Sequence, residues 1–192
     1  MSLEKDIRAA ADAVRSCENV TIISHIDADG ISSESILAQA LIREGIRVST
    51  TFVRQLDPLT LDQIPADSSL KIFSDLGSGQ QQMLIEKGLD PSKTVIIDHH
   101  VSQQAEDGDP FIEVNCLNHG YEKMSAAGVS YLLARELDAA NTDLAKLAII
   151  GNVGDMMDRE HLCLTGPARE ILQDGIRQGS VELWEHDLNI YG

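Results

Sequence analysis

Cysteine is scarce in this chain. Cys17, Cys116 and Cys163 are its three cysteines in 192 residues, far apart and without a Cys-x-x-Cys pair. That spacing speaks against a thiolate zinc site or a disulfide framework, and three reduced structural thiols are expected. Long apolar runs are missing too, with nothing near the roughly 20 residues of a membrane span. The N-terminus, Met1-Ser2-Leu3-Glu4-Lys5-Asp6, carries acids where a signal peptide would carry an apolar core. A cytoplasmic protein with no membrane partner is expected. Positive charge is short: 15 Lys and Arg stand against 31 Asp and Glu, a net charge of -16. Phosphate neutralisation supplies most non-specific nucleic-acid affinity, so tight metal-free binding of long polyanions is not expected from this surface. An acidic face could instead meet a basic partner. Internal repeats and low-complexity segments are absent.

The remainder is ordinary globular material, 43% apolar, sized for one domain. Residues 4–17 read as an amphipathic helix with Ile7, Ala10, Ala11 and Val14 on one stripe. Four β-branched or apolar runs read as strands: Val20–Ile23, Ile46–Val53, Leu70–Phe73 and Thr94–Ile97. A fifth is expected over Phe111–Val114. Between them lie helical patterns. The first is capped by Ser32 or Ser33 and ended by Gly45, and the next runs from the Gly77-Ser78-Gly79 turn to Gly88. Pro58 and Pro65 bracket a loop, and Gln103 to Pro110 reads as an acidic one. Further helices are expected over Ala126–Leu137, from a Thr142 cap towards Asp155, and from Pro167 to Gly175, before an irregular tail holding Trp184. Strands alternating with helices predict an α/β fold: a doubly wound, mostly parallel sheet of about five strands with helices on both faces.

Acid and histidine gather at four places: His25-Ile26-Asp27-Ala28-Asp29-Gly30, Asp75, Asp98-His99-His100, and Asp155. Three of them close expected strands, where open α/β sheets bind ligands. In an extended segment His25, Asp27 and Asp29 share one side, because side chains alternate with period two. Gly30 is expected to let the backbone turn tightly behind them. Asp75 is placed to bridge two ions, with Asp98 and His99 from the next strand and Asp155 from a loop after a helix. Hard carboxylates with a few imidazoles suit Mn²⁺ or Mg²⁺. Two ions about 3.5–4 Å apart are the apparatus for phosphoester hydrolysis.

These motifs resemble the four motifs of the DHH phosphoesterase superfamily. The flanking text, Ser24-His25-Ile26-Asp27-Ala28-Asp29-Gly30-Ile31, Ser74-Asp75-Leu76-Gly77-Ser78-Gly79-Gln80, Ser125-Ala126-Ala127-Gly128-Val129 and Gly154-Asp155-Met156, is similar to archaeal RecJ-like exonucleases, a branch that includes the GINS-associated nuclease. The resemblance covers residues 20 to 192. It implies a DHH catalytic domain over residues 1–192 and two Mn²⁺ ions, with Mg²⁺ as the alternative. His25 and Asp27 would hold one ion and Asp29, His99 and Asp155 the other, bridged by Asp75. It also implies catalytic roles for Asp98, supporting the site, and for His100, facing the scissile phosphate, with water as the nucleophile and no covalent intermediate. The substrate implied is single-stranded DNA or RNA, in replication and repair, with GINS or another replisome protein as partner. Relatives usually carry a second, smaller DHHA1 domain that grips substrate, and none is expected before Gly192.

Two other readings compete. One is a phosphodiesterase for short oligonucleotides or cyclic dinucleotides. The other is a GINS-binding replication scaffold, which would have no need of an intact ligand set. An inorganic pyrophosphatase is a weaker option. Among lesser candidates, His119, Arg54 and Arg159 are weighed as substrate contacts, and the Ser78 and Gly79 amides as phosphate donors. His161 and His186 are expected on the surface, and Trp184 in packing.

Overall fold

The computed structural model describes residues 2–103, 111–184 and 187–190. Five strands form an all-parallel sheet: β1 (Asn19–His25), β2 (Arg47–Val53), β3 (Leu70–Ser74), β4 (Thr94–Asp98) and β5 (Ile112–Asn115), in the order β2-β1-β3-β4-β5. The expected α/β architecture is the one observed. β3 and β4 are buried at every position, with apolar centres at Ile72-Phe73 and Val95-Ile96-Ile97 and polar residues towards their ends.

The winding follows from that order. From β1 the chain passes through helix α2 (Ala28–Arg43) to β2 on one side. It then crosses back to β3 on the other side and proceeds outward through α4 (Gln81–Glu86) to β4. Right-handed crossovers in opposite directions put their helices on opposite faces. The pleat shows it. Val20, Ile22, Ile72, Val95 and Ile97 pack beneath α1 (Leu3–Arg15), α2, α5 (Ala126–Leu137), α6 (Ala145–Gly154) and α7 (Gly166–Arg177). Ile23, Phe73 and Ile96 pack instead with Leu61 of the short α3 (Pro58–Leu61) and Leu84 of α4. The reversal lies between β1 and β3, so the crevice beyond their carboxyl ends is where such sheets receive ligands.

Several local expectations are corrected. Helix α2 begins at Ala28, and its cap is Asp27, whose side chain accepts from the Gly30 amide; Ser32 and Ser33 lie inside the helix, buried. The Pro58–Pro65 stretch contains α3, capped reciprocally by Asp57 and Thr60. Asp138, not Thr142, caps a 3-10 turn that leads into α6. The Thr142 hydroxyl instead accepts from Gln178 Nε2 at 2.7 Å. The tail is not irregular. Val181–Trp184 (β6) pairs antiparallel with Asp187–Ile190 (β7). Trp184 stands exposed on that hairpin instead of packing. Residues 104–110 of the expected acidic loop, and His186, lie outside the described residues. Of the thiols, Cys116 is buried, Cys17 half-buried and Cys163 exposed. Among the described residues no helix is long and apolar enough to cross a membrane.

Candidate metal centre

Three strand ends and two helix ends deliver the site. His25 terminates β1. Asp75 follows β3 with φ 58, a left-handed conformation that a non-glycine residue adopts only when held; its amide donates to Ile97 O of β4 at 2.9 Å. Asp98 ends β4, followed directly by His99 and His100. Asp155 is the C-cap of α6, and Met156 after it is again left-handed at φ 56.

His25, Asp27 and Asp29 do not share one side of an extended segment, because α2 begins at Ala28. The first turn of α2 folds Asp29 back into the protein, 2% exposed, while Asp27 stays out at the cap. Gly30 is needed for a close approach and not for a left-handed turn: a Cβ there would lie 2.3 Å from His25 O. Asp29 is anchored by residues remote in sequence. Its Oδ2 and Oδ1 accept the Ala126 and Ala127 amides at 2.8 and 2.9 Å, at the N-terminus of α5, where unpaired N–H groups favour an anion.

Potential ligand atoms fall into groups that each fit within 4.8 Å: His25, Asp27 and Asp75; Asp29, His99 and Asp155; and Asp75, Asp98, His99 and His100. Asp75 joins the first group to His99. Its Oδ2 lies 3.3 Å from His25 Nδ1, and its Oδ1 lies 3.3 Å from His99 Nε2. His25 Nδ1 is 2.9 Å from Asp27 Oδ2. His99 Nε2 is 3.3 Å from Asp155 Oδ2 and 3.6 Å from Asp29 Oδ2. All eight predicted site residues therefore meet in one cluster.

A cation fits this group on two counts. Among the described residues, the buried side-chain polar atoms without a hydrogen bond are Asp75 Oδ2, His99 Nε2 and Gln81 Oε1, and two of those three point into the cluster. Buried polar atoms are rarely left so. The donors are carboxylate oxygens and imidazole nitrogens, the set that Mn²⁺ and Mg²⁺ accept. Without a cation the carboxylates oppose one another. Burial, reinforced by the Asp29 and Asp27 charges, holds Asp75 up to about 6 against the pull of His99. Burial likewise raises Asp29, against hydrogen bonds that favour its charge.

The flank bearing His100 is fully bonded. Burial of Asp98 opposes its charge. Bonds from His100 and from the Ser78 and His99 amides outweigh that and hold it below the usual carboxylate range. Asp98 Oδ1 meets His100 Nδ1 at 2.7 Å, and this bond holds the half-exposed imidazole up at about 9.

The lesser candidates fare unevenly. The Ser78 amide donates to Asp98 Oδ2 at 3.0 Å and is not free for a phosphate. His119 Nε2 pairs with Asp6 of α1 at 2.7 Å. Arg159, exposed, reaches Met156 Sδ beside Asp155 at 3.8 Å. Arg54 is exposed just past β2, and His161 is exposed near Glu160. Residues that carried no earlier assignment prove important. Glu113 and Asn115 bond the segment around His100. Asn152 accepts the Ser125 amide at 3.1 Å, steadying the start of α5 that grips Asp29. Their only sequence signal is polarity inside otherwise apolar elements.

Known proteins resemble this chain to different depths. An uncharacterized protein of Methanocaldococcus jannaschii is 33% identical over 149 residues, covering 71% of this chain and 33% of that protein. A manganese-bound exonuclease RecJ superposes with a TM-score of 0.70 at 21% identity, covering 92% of this chain and 48% of that one. RecJ of Thermus thermophilus with Mn²⁺ superposes at 0.68 and 22% identity, over 91% of this chain and 26% of that one. CDC45 of Entamoeba histolytica superposes at 0.56 and 15% identity, over 94% and 38%. The chain thus spans between a quarter and a half of the length of these proteins. At such identities the structural likenesses establish the fold. The profile of the DHH family's N-terminal domain matches residues 19–152, and the chain belongs to that family of metal-dependent phosphoesterases.

Proposed function

We propose that this chain is the catalytic unit of a two-metal phosphodiester hydrolase that acts as a RecJ-like exonuclease on single-stranded DNA or RNA. The observation that carries the reading is Asp75, whose two carboxylate oxygens face His25 on one side and His99 on the other. A carboxylate so placed can serve two ions at once. His25 and Asp27 would help hold one ion, and Asp29, His99 and Asp155 the other. Two divalent ions there would supply charge for the phosphoryl oxygens and a hydroxide nucleophile at neutral pH.

The chain's own residues do the rest. The α5 amides hold Asp29 in one orientation, so this ligand would not need to be reoriented for a cation. Asp98 occupies His100 Nδ1, which leaves Nε2 as the ring nitrogen that can donate to the leaving oxygen. The exonuclease assignment is supported by the RecJ likeness and the motif text, and a nucleic-acid substrate by the same two. Mn²⁺ is the resident ion proposed, with Mg²⁺ the competitor.

The experiment is digestion of end-labelled single-stranded DNA, RNA and dinucleotides, side by side, in Mn²⁺ and in Mg²⁺. Stepwise shortening from one end of a single strand supports the reading. Hydrolysis of dinucleotides alone replaces it with an enzyme for short oligonucleotides. A chain that binds Mn²⁺ yet hydrolyses no phosphodiester would return the reading to a replication scaffold of the kind the CDC45 likeness raises.

A further inference from the structure

Glu113 is out of place on its strand. It lies in β5 opposite Ile96, on the sheet face that otherwise packs Ile23, Phe73 and Leu84. An apolar residue would serve that face at lower cost unless the carboxylate were fully bonded and needed. It is bonded at both oxygens, and among the described residues its partners are neutral groups. Oε1 accepts from the Ser78 hydroxyl, from the Ser102 hydroxyl at 2.7 Å and, more distantly, from Asn115 Nδ2 at 3.4 Å. Oε2 accepts from Gln81 Nε2 and from Asn118 Nδ2, each at 3.2 Å.

These donors come from four separate pieces of chain. Ser78 and Gln81 belong to the turn and helix after β3. Ser102 belongs to the segment that follows His100. Asn115 ends β5, and Asn118 sits in the next turn. One carboxylate therefore ties the exits of β3, β4 and β5 together. Asn115, 1% exposed and opposite Asp98 in the register, adds the direct tie: its Nδ2 donates to His100 O at 2.8 Å. The Gln103 amide donates to Ser78 O at 2.7 Å and fastens the same segment again. The chain of contact to the imidazole is short. Glu113 holds the Ser78 side chain, the Ser78 amide holds Asp98 Oδ2, and Asp98 Oδ1 holds His100 Nδ1.

We propose that Glu113, with Asn115, is a positioning residue for His100: it fixes the Ser78 turn and the 100–103 segment so that Asp98 presents the His100 imidazole in one orientation at the phosphate side of the crevice. Its catalytic consequence rests on the phosphodiesterase reading. Its structural content does not. Glu113 touches none of His25, Asp27, Asp29, Asp75, His99 or Asp155 in the contacts described, so its loss should spare metal binding and act on turnover.

The test compares wild type, Glu113→Ala and Glu113→Gln, each as the full 192-residue chain. Three readouts are taken: steady-state kinetics on a labelled single strand in Mn²⁺, Mn²⁺ titration by calorimetry, and long-range ¹H–¹⁵N spectra of the histidine rings. His100→Gln serves to assign the ring signals. In Glu113→Ala, kcat should fall about tenfold to a hundredfold, while KM and the Mn²⁺ dissociation constant stay within about threefold. The His100 ring signals should shift and broaden while those of His25 hold. Glu113→Gln keeps the shape and one carbonyl acceptor, so it should restore most of kcat and the ring signals. Should Glu113→Ala fail to fold, Ser102→Ala removes a single donor and carries the same expectations at smaller amplitude.

The inference is overturned if the His100 signals stay in place when the contact is removed. It is also overturned if Glu113→Gln disturbs them as much as Glu113→Ala, or if turnover is unchanged. A wild type without turnover would defeat the phosphodiesterase reading instead, and the ring spectra would still decide the positioning role.

Discussion

Lys71 and Asp75 stand at opposite ends of β3, both nearly buried, and their surroundings differ in kind. At the amino end the charge is answered inside the protein. Lys71 Nζ lies 2.5 Å from Asp67 Oδ1 and 2.7 Å from Ser69 Oγ, and Ser69 shares a further bond with Thr21 at 2.8 Å. The lysine bond draws the Asp67 carboxyl far below the usual carboxylate range. At the carboxyl end, Asp75 is pushed up to about 6 by burial and by the Asp29 and Asp27 charges, and keeps an oxygen without a hydrogen bond. The first arrangement is complete as it stands. The second leaves buried polar atoms without hydrogen bonds and so offers them to a cation, and two of the three left-handed non-glycine residues among those described, Asp75 and Met156, lie at that end of the fold. One strand thus carries two buried charged residues, told apart by whether the described protein groups bond them fully.

Four experiments test this contrast, beginning with the most severe. Asp75→Ala should lower kcat by about a thousandfold or more, some 4 kcal/mol of transition-state stabilisation. Its melting temperature without metal should hold or rise, because the repelling carboxylates are relieved. Near-normal turnover in Mn²⁺ would remove Asp75 from the centre of the site.

His100→Ala should cost less, about a hundredfold in kcat, the ordinary scale of a lost general acid. Calorimetry should find its Mn²⁺ binding intact. A loss as deep as that of Asp75→Ala would mean that His100 also organises the ligands.

Metal should act on stability in proportion to occupancy. At a hundred times the dissociation constant, Mn²⁺ should add about 2.7 kcal/mol to unfolding, and Asp75→Ala should abolish the gain. The effect should depend on pH. Asp75 keeps its proton in the folded metal-free chain until about pH 6, above its ordinary value. Metal must displace that proton and the one on His99. Burial opposes the His99 charge, but the Asp75 bond and the Asp29 and Asp155 charges hold it above the usual imidazole value. Affinity should therefore rise as pH rises through about 6 and go on rising until His99 has titrated. The metal-free fold moves the other way: its stability contribution from Asp75 is present below the unfolded carboxylate value and is lost as pH rises through about 6. Thermal melts with and without Mn²⁺ between those limits read both trends.

Lys71→Ala should be the mildest for function. Removing a buried side chain should cost about 2 kcal/mol of stability, while turnover per folded molecule stays at the wild-type level. A fall in kcat without a fall in melting temperature would show that the two ends of β3 are coupled.

The sequence by itself determined the sheet and which acids and histidines gather beyond its carboxyl edge. Uninterrupted β-branched runs at 20–23 and 94–97 can only be satisfied by burial on both faces, which requires a parallel sheet with helical cover. Hard ligands placed directly after such runs must gather at its carboxyl edge. It could not show how those ligands are held. Asp27 is both a candidate ligand and the cap of α2, and the capping hydrogen bond drew the helix start forward and turned Asp29 inward. Asp29 and the amides of Ala126 and Ala127 that anchor it lie 97 and 98 residues away in the chain, and no local pattern joins them. The same holds for Glu113, which reads as one polar residue in a short strand until β3, β4 and β5 bring four donor segments around it. The β6–β7 hairpin was hidden because two short strands pair by register rather than by composition. Residue type and strand order are written along the chain. The orientation of a carboxylate is set by whichever remote donors the packed fold delivers to it, and only the tertiary structure supplies those.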